Sequence, residues 1–556
     1  MKIQFKIQLL FLIIVYLFST KIDFCYAQFK INYEVSQFFE PLMSIDNHGR
    51  TFIAVTSGAD TVRIKDNIFF PKIARNKGFS RKTESFIAIY NDKNQLTDTI
   101  HFYGFSIGIT ISAIFAKNNN FYFILRGPDT IFQDQNLFIN PYINSGRPNY
   151  IFHYDLDLKK LNLCKVIGNA FESAELFVDD NYIYAVCNFG SNAYVDSLVI
   201  KSLSNNIHEL DILIIKMNKL DYKLVKTYPV LGYNFNYPVH ITADSNQNIY
   251  FCAYVFSPKL IYQSDTLSLV GNGLLVKFSK DGNLDWYRST NGAFLESIIN
   301  PDLKVNVIGS YNNLLKIDGE KFENLPLAEN GFIVNFNNNG NHESIKAFTG
   351  NKKRSFNLIK NDLPNNLIVA GQFDGEIDES ANVTKQSKGA KDCFIYLITQ
   401  DGNVNHSFYF QGDSTEYIVD ISLLDNGHIM VLGYTFSDTL ICRKDTLFTN
   451  THNKTYFIYE IKADQISSID NGNIIDSNII SYPSPFRDVI TIDCTKNENF
   501  IPKMCTLLNQ SGAIIQTYKF NGPKNTINIE FLPTGLYFLQ LNNSKGEIHI
   551  IKINKI

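Results

Sequence analysis

Short apolar runs, each closed by an Asp, Asn or Gly turn, follow one another along most of this chain. One pattern is an apolar strand followed by a turn, and its clearest copies are GLLVKFSKDGN (273–283), GFIVNFNNNGN (331–341) and CFIYLITQDGN (393–403). Looser copies are SFIAIYNDKN (85–94), NYIFHYDLDL (149–158), ILIIKMNKLD (212–221) and YFIYEIKADQ (456–465). Seven copies at steps of about 62 residues indicate a repeat protein.

A second pattern alternates with the first, and it consists of an Asp or Asn turn followed by a strand that ends in a small residue. Its clearest copies are ADSNQNIYFCAY (243–254), NPDLKVNVIGSY (300–311), KNDLPNNLIVAGQF (360–373) and LLDNGHIMVLGYTF (423–436). Weaker copies are SIDNHGRTFIAVTSG (44–58), AKNNNFYFILRG (116–127) and FVDDNYIYAVCNF (177–189). Gly309, Gly371 and Gly433 occupy equivalent places in three of these copies.

Together the two patterns predict four short strands in each repeat, with no helical periodicity. The abundance of Phe (45) and Tyr (30) supports an all-β chain. Four-strand repeats that cannot bury both faces alone are typical of propeller blades. We therefore predict an all-β fold: a seven-bladed β-propeller followed by a small C-terminal β-sandwich. The stretch FKINYEV (29–35) is expected to complete the seventh blade and close the ring.

The N-terminus reads as a secretory signal peptide over residues 1–27. Lys2 and Lys6 precede the apolar run LLFLIIVYLF (9–18), and Ala27 supplies a small residue at the expected cleavage site. The apolar run is too short for a comfortable membrane span, and no other segment resembles one. Seven cysteines remain after cleavage, without zinc-type spacing, and we expect them to be buried apolar residues. A pairing of Cys494 with Cys505 stays open.

After residue 465 the repeat ends, and residues 466–478 read as a polar linker between the propeller (28–465) and a tail domain (479–556). The tail contains YPSPF (482–486), VITID (489–493), LLNQSGAIIQ (507–516), LPTGLYFLQL (532–541) and KGEIHIIKINKI (545–556). This ordered set resembles the type A C-terminal sorting domain of type IX secretion cargo. The resemblance implies sorting-motif roles for Tyr482, Pro483, Pro485, Phe486, Gly512, Gly535, Tyr537 and Lys552. It also implies type IX secretion machinery as a partner, and a secreted or outer-membrane surface location reached through the periplasm.

The repeats resemble the SBBP kind of seven-bladed propeller repeat, which is common in such cargo. The pattern that carries the likeness is the Asp-x-x-Gly-Asn turn with its following strand, joined to the Phe-Ile strand and its Gly-Asn turn. The likeness spans roughly residues 29–465 and is weakest in the first two repeats. This family is defined by architecture, and it implies no shared catalytic residues.

Several motifs resemble reactive sites but are better explained as structure. GFSIG (104–108) has the spacing of a nucleophile elbow, yet that elbow needs a strand followed by a helix. SKDGNLDW (279–286) nearly matches the Asp-box of sialidases, which is itself a structural turn. Asp46, Asp244, Asp302 and Asp425 are expected to close Asx turns rather than to bind Ca²⁺. We therefore predict no catalytic, cofactor-binding or metal-binding residue.

Charge is nearly balanced, with 51 Lys and Arg against 54 Asp and Glu, which gives no basic surface for nucleic acid. We expect an exported propeller that acts as a non-enzymatic binding or adhesion scaffold for a glycan or protein. Two alternatives stay open: a hydrolase or lyase acting on extracellular polysaccharide or peptide, and a structural part of a surface layer or motility apparatus. Long insertions around residues 128–149, 188–211 and 255–272 are where ligand contacts are expected.

Overall fold

The computed structural model describes most of the chain from residue 27 to residue 555. The residues left out within that span are 30, 33–41, 58–61, 65–66, 70–83, 94, 104–108, 134–135, 143–146, 204–208, 300–303, 324–328, 349–353, 363–365, 381–382, 400–402, 425–426, 444, 449–454, 463–479, 483–487, 496–500, 510–513, 534 and 544–547. Every regular element in the described ranges is a β-strand. The chain divides into two compact units, residues 1–465 and 466–556.

The described strands of the first unit fall into seven successive groups of four antiparallel strands, here called blades 1 to 7 and given from inner to outer strand. Blades 2 and 3 belong to one ten-stranded sheet and blades 5 and 6 to another. Blade 1 is Leu42–Ile45, Thr51–Ser57, Glu84–Tyr90 and Leu96–Phe102, and blade 2 is Thr110–Lys117, Asn120–Arg126, Asn149–Asp155 and the first part of Lys160–Val178. Blade 3 is the last part of Lys160–Val178 followed by Tyr182–Val195, Asp211–Asn218 and Leu224–Gly232. Blades 4 and 5 are Asn236–Ala243, Ile249–Val255, Gly273–Phe278, Leu284–Thr290; and Ala293–Ile299, Val305–Asn312, Glu329–Phe336, His342–Ala347. Blades 6 and 7 are Arg354–Asp362, Asn366–Phe373, Asp392–Thr399, Val404–Gly412; and Glu416–Leu423, Ile429–Thr435, Thr455–Ile461, Ala27–Phe29.

Each blade also carries a β-hairpin or paired extension between its second and third strands. The paired segments are Val62–Ile64 with Asn67–Phe69, Thr130–Gln133 with Asn136–Ile139, the end of Tyr182–Val195 with Leu198–Lys201, Lys259–Tyr262 with Asp265–Ser268, Leu314–Ile317 with Glu320–Glu323, Glu376–Ser380 with Val383–Gln386, and Thr439–Cys442 with Asp445–Phe448. The short strand Ile31–Asn32 pairs with the first of them. These are the variable segments of the sequence repeat.

Packing between neighbouring blades continues from the last blade to the first. One apolar cluster joins Met43, Ile53 and Tyr90 of blade 1 to Leu432 and Ile458 of blade 7. Further clusters join blade 1 to 2, 2 to 3, 3 to 4, 4 to 5, and 5 to 6. Because each blade buries both faces against its neighbours, the succession of sheets has the architecture of a β-propeller.

The N-terminal strand completes blade 7, as the sequence predicts, but its boundaries differ. Ala27–Phe29 pairs antiparallel with the third strand of that blade, with Gln28 opposite Phe457. The predicted strand was 29–35, and within that range residues 31 and 32 pair instead with Val62–Ile64. Joining the two ends of the chain in one sheet protects an otherwise open strand edge.

Repeated glycines and phenylalanines meet directly across two central strands of three blades. Gly309 lies opposite Phe332, Gly371 opposite Phe394 and Gly433 opposite Phe457. A Cβ added at each glycine would lie 2.2 to 2.6 Å from the terminal ring carbon of its phenylalanine partner. The ring therefore occupies the space that a side chain at the glycine would need, which explains why the two sequence patterns recur together.

The second unit contains two antiparallel sheets. Ile480–Tyr482, Val489–Asp493 and Lys524–Asn528 form one, and Ile514–Lys519, Pro502–Leu508, Gly535–Asn543 and Ile548–Lys555 form the other. Both sheets contribute side chains to one apolar core, so the unit is a small β-sandwich. Cys494 and Cys505 lie in that core with free thiols, and the other five described cysteines are also buried, as expected.

Candidate ligand-binding face

One face of the propeller carries all the long connections. In a four-stranded antiparallel blade, the link from the second to the third strand and the link to the next blade leave the sheet at the same end. We call this side the loop face; its described residues include 128–133, 136–142, 147–149, 188–203, 209–211, 232–237, 255–272, 412–417, 435–443, 445–448 and 455. The opposite side, with the tight turns, is the turn face.

Exposed apolar side chains concentrate on the loop face of blades 2 to 4. Among the described residues, those of this face with large exposed apolar side chains are Leu137, Ile139, Leu198, Val199, Tyr233, Phe235, Tyr237, Phe256 and Val270 in blades 2 to 4, and Phe436 in blade 7. On the turn face of the described chain, Leu158 is exposed at one turn, and Leu220 and Val225 are exposed at and just after another. Contiguous exposed apolar surface on a secreted domain is typical of an interaction site.

The centre of this surface is a group of aromatic rings, here called the aromatic cluster: Phe235, Tyr237, Tyr254 and Phe256. Phe235 and Tyr237 stack with ring centroids 6.2 Å apart and planes 4° from parallel. Phe256 meets Tyr237 and Tyr254 edge-on, at 6.5 and 5.1 Å between centroids. Tyr233 lies beside the cluster in sequence and is 60% exposed. Such ring faces can stack on the apolar face of a sugar or on an apolar side chain of a protein.

A buried polar frame holds the loop that carries Phe235. The Asp211 carboxylate accepts hydrogen bonds from Gly232 N (2.6 Å) and Ser202 Oγ (2.5 Å), although burial raises the pKa of Asp211. Asn236 Nδ2 donates to Leu210 O at 2.8 Å. A Cβ at Gly232 would lie 2.5 Å from Ser257 Oγ, so this loop can approach its neighbour only with glycine there. The frame fixes the rings before any ligand arrives, which lowers the entropic cost of binding.

The same frame recurs at the junction of blades 6 and 7. Asp392, Gly412, Glu416 and Ser437 stand where Asp211, Gly232, Asn236 and Ser257 stand in the first frame. Its aromatic side chains are Tyr417, Tyr434 and Phe436, with centroids 4.6 Å apart for the first pair and 5.8 Å for the second. The sequence signal for both frames was the Phe-Ser pair after the second strand, at 256–257 and 436–437.

Glu416 and Asp392 place two carboxyl groups side by side in this second frame, and both residues are fully buried. The pKa of Glu416 is raised to about 8, first by burial and then by the neighbouring carboxyl group of Asp392. Thr435 Oγ1 donates to Glu416 Oε1 at 2.8 Å, and Ser437 Oγ donates to the same oxygen. The protonated form of Glu416 is therefore favoured near neutral pH.

Titratable groups near the central opening hold the ring together. His240, Glu296 and Asp420 each follow a β-bulge in the inner strand of their blade. Each accepts a hydrogen bond from a backbone amide of the next blade, and the three contacts are Ser297 N to His240 Nδ1 (3.4 Å), Ile359 N to Glu296 Oε2 (2.7 Å) and Ile45 N to Asp420 Oδ2 (3.3 Å). These side chains satisfy open strand edges, which is a structural role.

The other sequence motifs that the structure describes form structural turns. Ser279 Oγ accepts from Asn283 N at 3.1 Å, and Trp286 Nε1 donates to Asn338 O at 3.0 Å in the next blade, so SKDGNLDW is a structural turn. Asp46 and Asp244 close Asx turns by accepting from backbone amides two to four residues ahead. GFSIG (104–108), Asp302 and Asp425 lie outside the described residues.

Within the part of the chain that the structure describes, no three His, Cys, Asp or Glu side chains converge in a way that would hold a metal ion. No described helix is long and apolar enough to cross a membrane.

The predicted sorting residues are distributed through the second unit. Tyr482 ends the first strand of the unit, and Lys552 belongs to the last strand, opposite Phe538. Gly535 begins the strand that contains Tyr537, whose ring is buried and whose hydroxyl donates to Pro533 O at 2.9 Å. Pro483, Pro485, Phe486 and Gly512 lie outside the described residues.

The fold and the tail together define an exported β-propeller protein. Residues 481–554 match the secretion system C-terminal sorting domain, so the tail is the type IX sorting domain that the sequence predicts. The protein is therefore secreted or attached to the outer-membrane surface, and its tail is handled by the type IX machinery.

No curated protein matches the chain. Among solved structures, it is similar to a protein of unknown function from Bacteroides caccae, with 13% identity over 55% of this chain and 90% of that one and a TM-score of 0.25. It is also similar to an acylaminoacyl peptidase from Pyrococcus horikoshii (10% identity, 84% and 58% covered, TM-score 0.41). A third is the β-propeller domain of the Trilobed protease from Pyrococcus furiosus (10% identity, 74% and 96% covered, TM-score 0.38). Likenesses this distant say nothing about activity.

Proposed function

We propose that this protein is a surface-displayed or released binding scaffold that holds an extracellular glycan or protein on its loop face. Its parts would be a signal peptide (1–27), a seven-bladed propeller of the SBBP kind (28–465), a linker (466–478) and the sorting domain (479–556). The observation that carries the proposal is the exposed aromatic cluster on its rigid frame. Three of its four rings are on the protein surface, although many other large rings of the described residues are buried.

A binding role accounts for this surface better than a catalytic role does. The carboxylates and the histidine nearest the opening accept hydrogen bonds from neighbouring strands, which fixes them in the ring. The aromatic cluster, by contrast, contributes contact area and orientation but no acid, base or nucleophile. Tyrosine and other aromatics are the side chains that most often dominate protein recognition sites.

We expect Phe235→Ala combined with Tyr237→Ala to weaken ligand binding at least tenfold. Removing one anchoring aromatic typically costs about 2 kcal/mol of binding free energy. The measurement is binding of the full mature chain to a glycan array and to extracellular-matrix protein extracts, followed by titration of the hit. Leu220→Ala, at an exposed apolar position on the turn face, is the control. Undiminished binding by the double variant would refute the role of the cluster.

We further propose that Tyr482, Pro483, Pro485, Phe486, Gly512, Gly535, Tyr537 and Lys552 form the motif that the secretion machinery reads. Tyr537→Ala should retain the protein in the periplasm, because losing a buried ring costs about 3–5 kcal/mol and loosens the strand that presents Gly535. Tyr537→Phe keeps the ring and loses only the hydrogen bond to Pro533 O, so export should remain near wild type. Protease accessibility on intact cells measures the surface fraction, with the exposed Ile515→Ala as control. Normal surface display of Tyr537→Ala would contradict this assignment.

A further inference from the structure

A cavity of about 600 Å³ opens on the loop face at the junction of blades 6 and 7. Its lining residues are Asp413, Ser414, Thr415, Tyr417, Phe436 and Asp438. The first four belong to the connection that enters blade 7, and the last two follow the second strand of that blade. The cavity therefore occupies the same place in its blade as the aromatic cluster occupies in blade 4.

Comparison of the two places separates what the repeat requires from what this cavity adds. Counted from the frame glycines Gly232 and Gly412, Asp413 stands where blade 4 has Tyr233. Counted from the frame serines, Asp438 stands where blade 4 has Pro258. The scaffold thus tolerates neutral residues at both positions, and the two carboxylates are not needed to build it.

The lining of the cavity includes two carboxylates beside two aromatic rings. Asp413 Oδ1 accepts a hydrogen bond from Asp438 N at 3.1 Å, which joins the two acidic residues across the cavity. Asp413 is exposed, and no described Lys, Arg or His lies within ion-pair distance of it. Phe436 is 39% exposed, so part of its ring is open to a ligand. Carboxylates next to open aromatic rings attract a cation by charge and by cation–π interaction.

We propose that this cavity binds the cationic side chain of an extracellular polypeptide, an arginine or a lysine. An aliphatic stem would lie against Tyr417 and Phe436, and the charged head would meet Asp413 and Asp438. An amino sugar fits less well, since it carries many hydroxyl groups and the uncharged polar side chains here are only Ser414 and Thr415. This site is separate from the aromatic cluster, so either proposal can fail without the other.

The test is fluorescence anisotropy of the full mature chain with labelled glycine pentapeptides that carry a central arginine or lysine, at low ionic strength. We expect both peptides to bind, the citrulline peptide to bind at least tenfold more weakly, and 0.5 M NaCl to weaken binding similarly. D413N combined with D438N should lose at least tenfold in affinity. Asn at 413 keeps the oxygen that accepts from Asp438 N, so folding should be unaffected, and an unchanged circular dichroism melting curve would verify this.

D221N combined with D265N removes the same charge from exposed sites elsewhere and should bind like wild type. Equal binding of the arginine and citrulline peptides would overturn the proposal, and so would equal affinity of wild type and D413N/D438N. Binding of glucosamine oligomers without binding of either cationic peptide would also overturn it, because the ligand would then be an amino sugar.

Discussion

Gly371→Ala is expected to lower the free energy of unfolding of the propeller by about 2–3 kcal/mol, the upper range for overpacking a core. The added Cβ would lie 2.1 Å from the carbonyl oxygen of Ser355 and 2.6 Å from the terminal ring carbon of Phe394. The carbonyl belongs to the adjacent inner strand and cannot move without opening the sheet. The ring is fully buried between blades, so it has no free space to enter.

The pairing of Gly371 with Phe394 can be tested by a double-mutant cycle in urea. Phe394→Ala alone should cost about 3–5 kcal/mol, because it leaves a large cavity. In the double variant the new methyl group meets no ring, so the combined loss should be smaller than the sum by about 0.5–3 kcal/mol. Gly522→Ala is the control, since nothing lies within 4 Å of its added Cβ. Strictly additive losses would show that the ring and the glycine do not compete for space.

This pair also shows why so much of the fold could be predicted from the sequence. In blades 5, 6 and 7 a glycine of the second strand faces a phenylalanine of the third strand, as Gly371 faces Phe394. Each residue of the pair constrains the other, so the spacing between them stays nearly the same from blade to blade. Strand order, the position of the turns and the burial of the third strand all follow from that spacing. The N-terminal strand was placed in the correct blade but with other boundaries, because one short strand paired at an edge leaves a weak register signal.

The candidate sites were harder to predict, because their chemistry depends on contacts between separate blades. Phe235 and Tyr237 alternate with Asn residues and resemble any buried strand, and only the structure shows that both side chains are exposed. Glu416 and Asp392 are 24 positions apart and lie on different blades, so their proximity follows from the packing of blade 7 on blade 6 rather than from local pattern. The length of the insertions at 128–149, 188–211 and 255–272 points to the same face as the aromatic cluster, but it does not indicate which side chains are exposed there.

The stability of the propeller should fall as the pH rises from about 4.5 to about 8, and Glu416 is the cause. The pKa of this carboxyl is about 8 in the folded protein, against 4.5 for the free side chain. Folding therefore binds a proton throughout that interval. The stabilisation is complete below the unfolded pKa and is lost as the pH rises through the folded one. Each unit of pKa difference corresponds to about 1.4 kcal/mol, so the total loss is roughly 3–5 kcal/mol.

Glu416→Gln should remove this part of the pH dependence. The amide is neutral at every pH, as the protonated carboxyl is, and its oxygen can still accept from Thr435 Oγ1 and Ser437 Oγ. An amide also fits the frame, because Asn236 holds the equivalent position in blade 4 and donates from its Nδ2. Urea unfolding at pH 5, 6.5 and 8 should show the variant falling less steeply than wild type and overtaking it at the highest pH, whereas the exposed Glu320→Gln should follow wild type. Parallel curves for Glu416→Gln and wild type would mean that Glu416 is ionised in the folded protein, and the buried proton would have to be assigned elsewhere in the frame.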